Sequence, residues 1–279
     1  MENLKLPLNY SSSIPDINSS TLSQLAHWIK GQDEINKSFI HKLKEDSRRG
    51  ATKLAKMCMK KNKELKEEKK RIRSMKEIEN NIRENGYRYI AGVDEAGKGA
   101  LAGPVCAAAV IFPEDTDLLK INDSKQLSTK KRENLYAKII DEARACGIGV
   151  GSVKEINEMG ISTANRLAMT KALDNLTIEP DYVLIDCIEI DYLEYPSSSI
   201  PQGDARSYSI AAASIIAKVT RDRLMVKLSQ EYPEYGLEEN KGYGTSDHKK
   251  AVMEQDYSNI HRKNFRFQDA NKAKLDFGC

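Results

Sequence analysis

Four acids at the ends of apolar runs are the residues in this chain best suited to chemistry. Asp94 and Glu95 follow Ile90-Ala-Gly-Val93. Asp186 follows Tyr182-Val-Leu-Ile185, and Asp204 sits in Gly203-Asp-Ala205 just ahead of an alanine-rich stretch. A carboxylate on an apolar strand needs a compensating charge. Four of them gathered at one end of a sheet would repel one another at neutral pH unless cations intervened. Two hard divalent ions about 4 Å apart would supply that charge and clamp the attacking and leaving oxygens of a phosphoryl transfer. The same residues serve equally as solvated strand ends, a turn cap and a Gly-Asp turn. Spacing alone leaves the choice open.

Two glycine-flanked loops accompany the acids. Gly97-Lys98-Gly99 comes directly after the first pair, with Gly103-Pro104 beyond it. Gly92 through Lys98 has the spacing of a phosphate-binding loop, yet Gly99 stands where a metal-coordinating Ser or Thr is required. Asp94 and Glu95 would also lie inside the phosphate cradle, which excludes a nucleotide triphosphatase. Backbone N–H groups at Gly97–Gly99 can instead approach a substrate closely, with Lys98 adding one charge. The second loop, Lys241-Gly242-Tyr243-Gly244-Thr245, presents a cation and a ring that either stacks on a sugar or base or packs under a tight turn. Ser124-Lys125 and His261-Arg262 are further candidate phosphate contacts.

The elements that must position these residues alternate in type. Strands are expected near 88–94 and 104–112, forming a hairpin-like pair around the glycine loop, with Glu95 swinging round at the strand end to join Asp94. A helix over 128–145, a strand over 147–153, a helix over 161–176 and a strand over 182–185 follow, then a short strand near 188–193. An apolar helix from Ser207 to Leu228 carries Ala211-Ala212-Ala213, and shorter helices are expected around 246–255 and at the C-terminus. This pattern is α/β, a mixed sheet with helices on its faces. Ahead of it, residues 1–20 read as a loosely ordered tail. Two short helices over 21–45 break near Gly31, and one long amphipathic helix runs from Ala51 to Asn85-Gly86. A small helical domain over 1–86 and a main domain over 87–279 result.

The 279 residues carry a net charge of +3, which conceals an asymmetry. Residues 47–76 hold 13 Lys and Arg against three Glu, a net +10, so the remainder sums to −7. Such a basic segment suits a polyanion, nucleic acid first, although charge runs also occur as solvated helix faces. The five cysteines form no CxxC pair, which fits reduced thiols in a cytoplasm, and the four histidines form no zinc-type cluster. No apolar run approaches a membrane span, so no membrane partner is expected.

Taken together, Gly92-Val-Asp-Glu-Ala-Gly-Lys-Gly-Ala-Leu-Ala-Gly-Pro104, Asp123-Ser-Lys125, Ile185-Asp186, Ser209-Ile-Ala-Ala-Ala-Ser-Ile-Ile-Ala-Lys-Val-Thr-Arg-Asp222 and Lys241-Gly-Tyr-Gly-Thr245 resemble bacterial ribonuclease HII, the type 2 ribonuclease H family. Order and spacing agree over about 88–265, and Asp46-Ser-Arg-Arg-Gly50 with the basic helix resembles the extension of some Firmicute-type members. The resemblance implies a ribonuclease H-like fold and a monomeric endonuclease acting on RNA–DNA hybrids and 5′ of single ribonucleotides in duplex DNA. It assigns Asp94, Glu95, Asp186 and Asp204 as the catalytic carboxylates binding two Mg²⁺ or Mn²⁺. Gly97, Lys98 and Gly99 would read the 2′-hydroxyl and Tyr243 would stack on the sugar, with Ser124, Lys125 and Lys241 as further substrate contacts. Three positions depart from the family pattern: Lys98 replaces arginine, Ala100 replaces proline and Asn240 replaces histidine. The competing readings are another two-metal nuclease of this fold and a non-catalytic nucleic-acid binder.

Overall fold

The computed structural model describes residues 14–190 and 193–265. The chain forms two compact units that divide between Arg71 and Ile72. In the first unit, α1 (Leu22–Gly31) starts with a capping box between Thr21 and Gln24, and α2 (Lys37–Glu45) starts with the Asn36 side chain accepting from Ser38 N–H. These helices bury Leu25, Ile29, Phe39, Ile40 and Leu43 against Ala51, Ala55 and Cys58 from the start of α3 (Ala51–Met75). Residues 14–20 are not the loose segment their composition suggests. Ile17 is buried, and the Arg48 guanidinium, paired with Asp46, donates to the carbonyls of Ile17 and Ser20 at 2.7 and 2.6 Å. The expected long helix is interrupted at Lys76, so α4 (Glu77–Glu84) is a separate element of the second unit.

The second unit is built on a five-stranded sheet. Its strands are β1 (Ile90–Ala96), β2 (Val105–Ile111), β3 (Ala145–Gly151), β4 (Tyr182–Asp186) and β5 (Ser197–Ile200), in the spatial order β3-β2-β1-β4-β5. β1 pairs antiparallel with β2 and parallel with β4. The other helices of this unit are α5 (Thr129–Glu142), α6 (Val153–Met159), α7 (Ile161–Asp174), α8 (Gly203–Arg206), α9 (Tyr208–Ser229), α10 (Leu237–Asn240) and α11 (Ser246–Gln255), and α7 and α9 cover the two faces of the sheet. Every residue of β2 is buried. Ala107, Ala109 and Ile111 pack with the alanines of α7, while Ala108 and Val110 pack with Ala211, Ala212 and Ala213 of α9. Small residues in strand and helix bring backbone layers close together, and the first half of α9, residues 208–217, is buried on all sides because it lies at the centre.

Several boundaries differ from those expected. β3 lies two residues earlier than 147–153, since Ser152 caps α6 through a Ser152–Glu155 capping box. Gly160 then separates α6 from α7. The strand expected near 188–193 is absent among its described residues, and the chain pairs with β4 through Ser197–Ile200 instead. The expected C-terminal helix falls largely outside the described residues.

Candidate active site

Parallel pairing of β1 with β4 sets Val93 opposite Ile185, so Asp94 within β1 and Asp186 at the end of β4 come next, side by side. β1 does not stop at Glu95; its ladder with β2 continues through Glu95 and Ala96. Glu95 therefore stays on the α7 side, facing Asn165, while Asp94 points to the α9 side beside Ser214. Asp204 arrives from α8. Its turn is fixed by Asp186, whose Oδ1 accepts from Gly203 N–H at 2.6 Å.

Burial pushes the Asp94 carboxyl well above its ordinary range, and the charges of Glu95 and Asp186 push it further. Burial also raises Glu95, and burial followed by the charges of Asp123 and Asp186 raises Asp204. Two ammonium groups partly offset this concentration of charge. Lys98 Nζ lies 3.9 Å from Glu95 Oε1, and Lys125 Nζ lies 3.7 Å from Asp204 Oδ2. Among the described residues no three His, Cys, Asp or Glu side chains close on one point as a finished ligand shell. The donor set is nonetheless all oxygen, anionic and desolvated, which is the chemistry hard divalent cations require.

The recognition loops are arranged differently. Gly97 has φ +94°, and a Cβ there would lie 1.8 Å from Arg221 Nε, so glycine is required on both counts. Gly99 faces open space. Lys241 and Gly242 both adopt positive φ, turning the Gly242 carbonyl to accept from Leu101 and Ala102 N–H at 2.8 and 3.1 Å. Tyr243 is half-buried, with Lys218 Nζ and the Arg221 guanidinium each 5.0 Å from its ring centroid. It borders a cleft of about 540 Å³ that Arg132, Lys218 and Asp222 also line.

The ribonuclease HII family model matches residues 91–268. The chain belongs to the ribonuclease HII family. The model of the ribonuclease HII N-terminal domain matches residues 21–83. A ribonuclease HII from Listeria monocytogenes is 46% identical over 259 residues, 93% of this chain and 98% of its own length. One from Bacillus licheniformis is 44% identical over 245 residues, 88% of this chain and 96% of its own. The crystal structure of ribonuclease H2 from Pyrococcus horikoshii OT3 aligns with a TM-score of 0.56 at 30% identity, covering 67% of this chain and 97% of that one. The chain is accordingly a type 2 ribonuclease H, an endonuclease that hydrolyses phosphodiesters, on a ribonuclease H-like fold with a helical N-terminal domain.

Within this ribonuclease HII, the four acids and both glycine loops belong to the compact unit formed by the sheet and its helices. Ser124 is buried, and its hydroxyl bonds Ser214 at 3.0 Å rather than facing solvent. Lys125 is exposed beside Asp204, and Lys241 Nζ turns onto the Glu238 carbonyl. His261 and Arg262 are buried and bonded internally, so neither is a phosphate contact. Asn240 holds the second loop, accepting from Gly242 N–H at 2.7 Å while donating to the Tyr235 carbonyl at 2.7 Å. Asp123, Asn165 and Ser214 also neighbour the acids, and none of them carries an assigned role in the sequence. The latter two are polar residues on otherwise apolar helix faces, which is the signal that would have found them.

Proposed function

We propose that this enzyme hydrolyses the RNA strand of RNA–DNA hybrids and incises 5′ of a single ribonucleotide embedded in duplex DNA, leaving a 5′-phosphate and a 3′-hydroxyl. The observation that carries the proposal is the placing of a desolvated carboxylate group at one sheet end, directly followed by a loop whose outer glycine, Gly99, is open to an approaching backbone. Asp94, Glu95, Asp186 and Asp204 would hold two divalent ions, Mg²⁺ or Mn²⁺. Such ions supply a nucleophile at neutral pH and neutralise charge on the leaving 3′-oxygen. The protein's own contribution is position. Backbone groups of Gly97, Lys98 and Gly99 meet the ribose 2′-hydroxyl, the feature that separates RNA from DNA. Tyr243 supports the sugar from the other side. Lys98 and Lys125, already beside Glu95 and Asp204, move onto substrate phosphates, with Lys241 at the rim. Ser124 acts from beneath, through Ser214.

Cleavage of an end-labelled duplex containing one ribonucleotide tests this directly. A single cut on its 5′ side, dependent on Mg²⁺ or Mn²⁺, is expected. Cleavage confined to longer RNA–DNA hybrids would limit the proposal to hybrid hydrolysis and assign a recognition cost to Lys98, whose ammonium lacks arginine's planar fork.

The N-terminal unit adds sequence-independent affinity for the duplex through the exposed lysines of α3, among them Lys53, Lys56 and Lys66. Removing residues 1–71 raises KM and flattens its salt dependence with kcat retained; an unchanged salt dependence would refute this role. The reaction takes place in the cytoplasm on a monomer. The free thiols of Cys58, Cys106, Cys146 and Cys187 suit a reducing compartment, and no helix among the described residues is long and apolar enough to cross a membrane.

A further inference from the structure

Among the described residues, Arg221 and Arg262 are the two largest fully buried side chains, and neither forms an ion pair with another described residue. Their donors go to backbone carbonyls of the two recognition loops. Arg221 Nε donates to Pro104 at 2.9 Å, Nη2 to Ala102 at 3.0 Å, and Nη1 crosses to Lys241 at 2.9 Å. Arg262 Nε donates to Gly103 at 2.9 Å and Nη1 to Lys98 at 3.0 Å, leaving Nη2 unbonded while the guanidinium faces the Phe265 ring. The arginines thus bond carbonyls on both sides of Gly99 and on the residue two before Tyr243.

Burying two guanidinium groups without a carboxylate is costly. Burial, and then the charge of Arg221, lowers Arg262 to about 9. Simple stability would be served better by apolar side chains, so the cost needs another return. Guanidinium supplies what an apolar side chain cannot: several N–H donors in a rigid planar fork, able to hold separate carbonyls at fixed spacing. A histidine relay continues the same arrangement. His248 Nδ1 lies 2.9 Å from the Tyr243 carbonyl, its Nε2 lies 3.1 Å from His261 Nε2, and His261 Nδ1 lies 3.0 Å from Ser258 N.

We propose that Arg221 and Arg262 are positioning residues for ribose recognition, holding the Gly97–Gly99 turn at a set distance from Tyr243 without touching substrate. The proposal rests on the reading that these two loops recognise the ribonucleotide. The test uses the full chain with Mg²⁺ and compares wild type with Arg221→Lys and Arg262→Lys. Two quantities are measured for each: kcat/KM on a duplex with one ribonucleotide, and Ki of the matching all-DNA duplex as competitor. Both variants should lose roughly 10- to 100-fold in kcat/KM, the scale for small misplacements around a reacting group, while Ki for DNA stays unchanged. Circular dichroism at the assay temperature establishes that each is folded. Should Arg221→Lys unfold, Arg262→Lys carries the test because it gives up two carbonyl bonds rather than three. Asn240→Ala, a change at a half-buried position that frees the N–H of buried Gly242, should shift the same quantity in the same direction. Folded variants that retain kcat/KM, or that lose it in step with Ki, overturn the proposal alone. Wild type that ignores the single ribonucleotide, or binds all-DNA duplex as tightly, overturns the loop reading and the proposal together.

Discussion

The two halves of the active site treat buried charge in opposite ways. On the carboxylate side, Asp94 is buried among acids of the same sign, and the ammonium groups of Lys98 and Lys125 pair with Glu95 and Asp204. On the loop side, two buried arginines make five hydrogen bonds to backbone carbonyls. One half is complete only when a cation joins it. The other is already bonded to the protein's own backbone as folded, Arg262 Nη2 excepted. Such a division lets the recognition surface be rigid before substrate arrives, while the reacting centre keeps an uncompensated charge that divalent ions can occupy. A third region separates burial from its consequences. Glu79 on α4 is as buried as Asp94, yet its Oε1 accepts from Ser207 Oγ, Ser209 N and Ser209 Oγ at 2.7, 2.9 and 2.7 Å, at the positive N-terminus of the 22-residue α9.

The largest effect that could break the comparison is catalytic. Asp94→Asn should lower cleavage of any ribonucleotide-containing duplex by roughly 10⁴-fold, the scale seen when one member of a catalytic unit is lost. The same substitution should leave the cation-free protein at least as stable as wild type, because it removes a charge that burial and its neighbours penalise. The sign with pH follows. A carboxyl raised in the folded state favours folding at low pH and opposes it once pH rises through that raised value. The stability advantage of Asp94→Asn should therefore shrink as the solution is acidified, as denaturant titrations at several pH values will show.

Glu79→Ala sharpens the comparison from the other side. Removing this carboxylate, bonded through Oε1 but not Oε2, takes the acceptor from two serine hydroxyls and one N–H, at a cost of about 3 kcal/mol in urea unfolding. A neutral result would mean that burial alone, not the company a carboxylate keeps, distinguishes the two acids.

The histidine pair gives a prediction of similar size. Burial, then the neighbouring His248, lowers His261 to about 4, and burial lowers His248 as well. In the unfolded chain both titrate near their ordinary value, so the unfolded state binds more protons between the two. Their contribution is fully present above about pH 6.5 and is lost as pH falls toward 4, amounting to about 2–3 kcal/mol for His261. His261→Asn should flatten that acid limb of the stability profile. Lys98→Arg is expected to have the smallest effect, lowering KM a few-fold through a better phosphate fork with kcat unchanged.

How much of this was legible in the sequence varies with distance along the chain. β1, β2 and β4 could be read because apolar runs mark strands buried on both faces, and the acids stood out because they interrupt those runs. α6 was missed although Ser152-Val-Lys-Glu155 is a capping-box pattern, because the glycine-rich strand before it blurred the boundary. β5 is Ser-Ser-Ser-Ile and carries no apolar signal; only pairing with β4 makes it a strand. Arg262 stood in the sequence as a candidate phosphate contact, and Arg221 carried no role of its own. All their partners but Lys241 lie more than a hundred residues away, Pro104 and Gly103 among them, and no local pattern announces a bond of that range.

Thermal unfolding with and without Mn²⁺ or Mg²⁺, for wild type and Asp94→Asn, tests the central contrast most directly. Binding only to the folded state at 100 times the dissociation constant adds about 2.7 kcal/mol. The wild-type midpoint should therefore rise with divalent cation, while that of Asp94→Asn should rise much less, from an equal or higher starting point. Equal cation shifts in the two proteins, or none in either, would contradict the account.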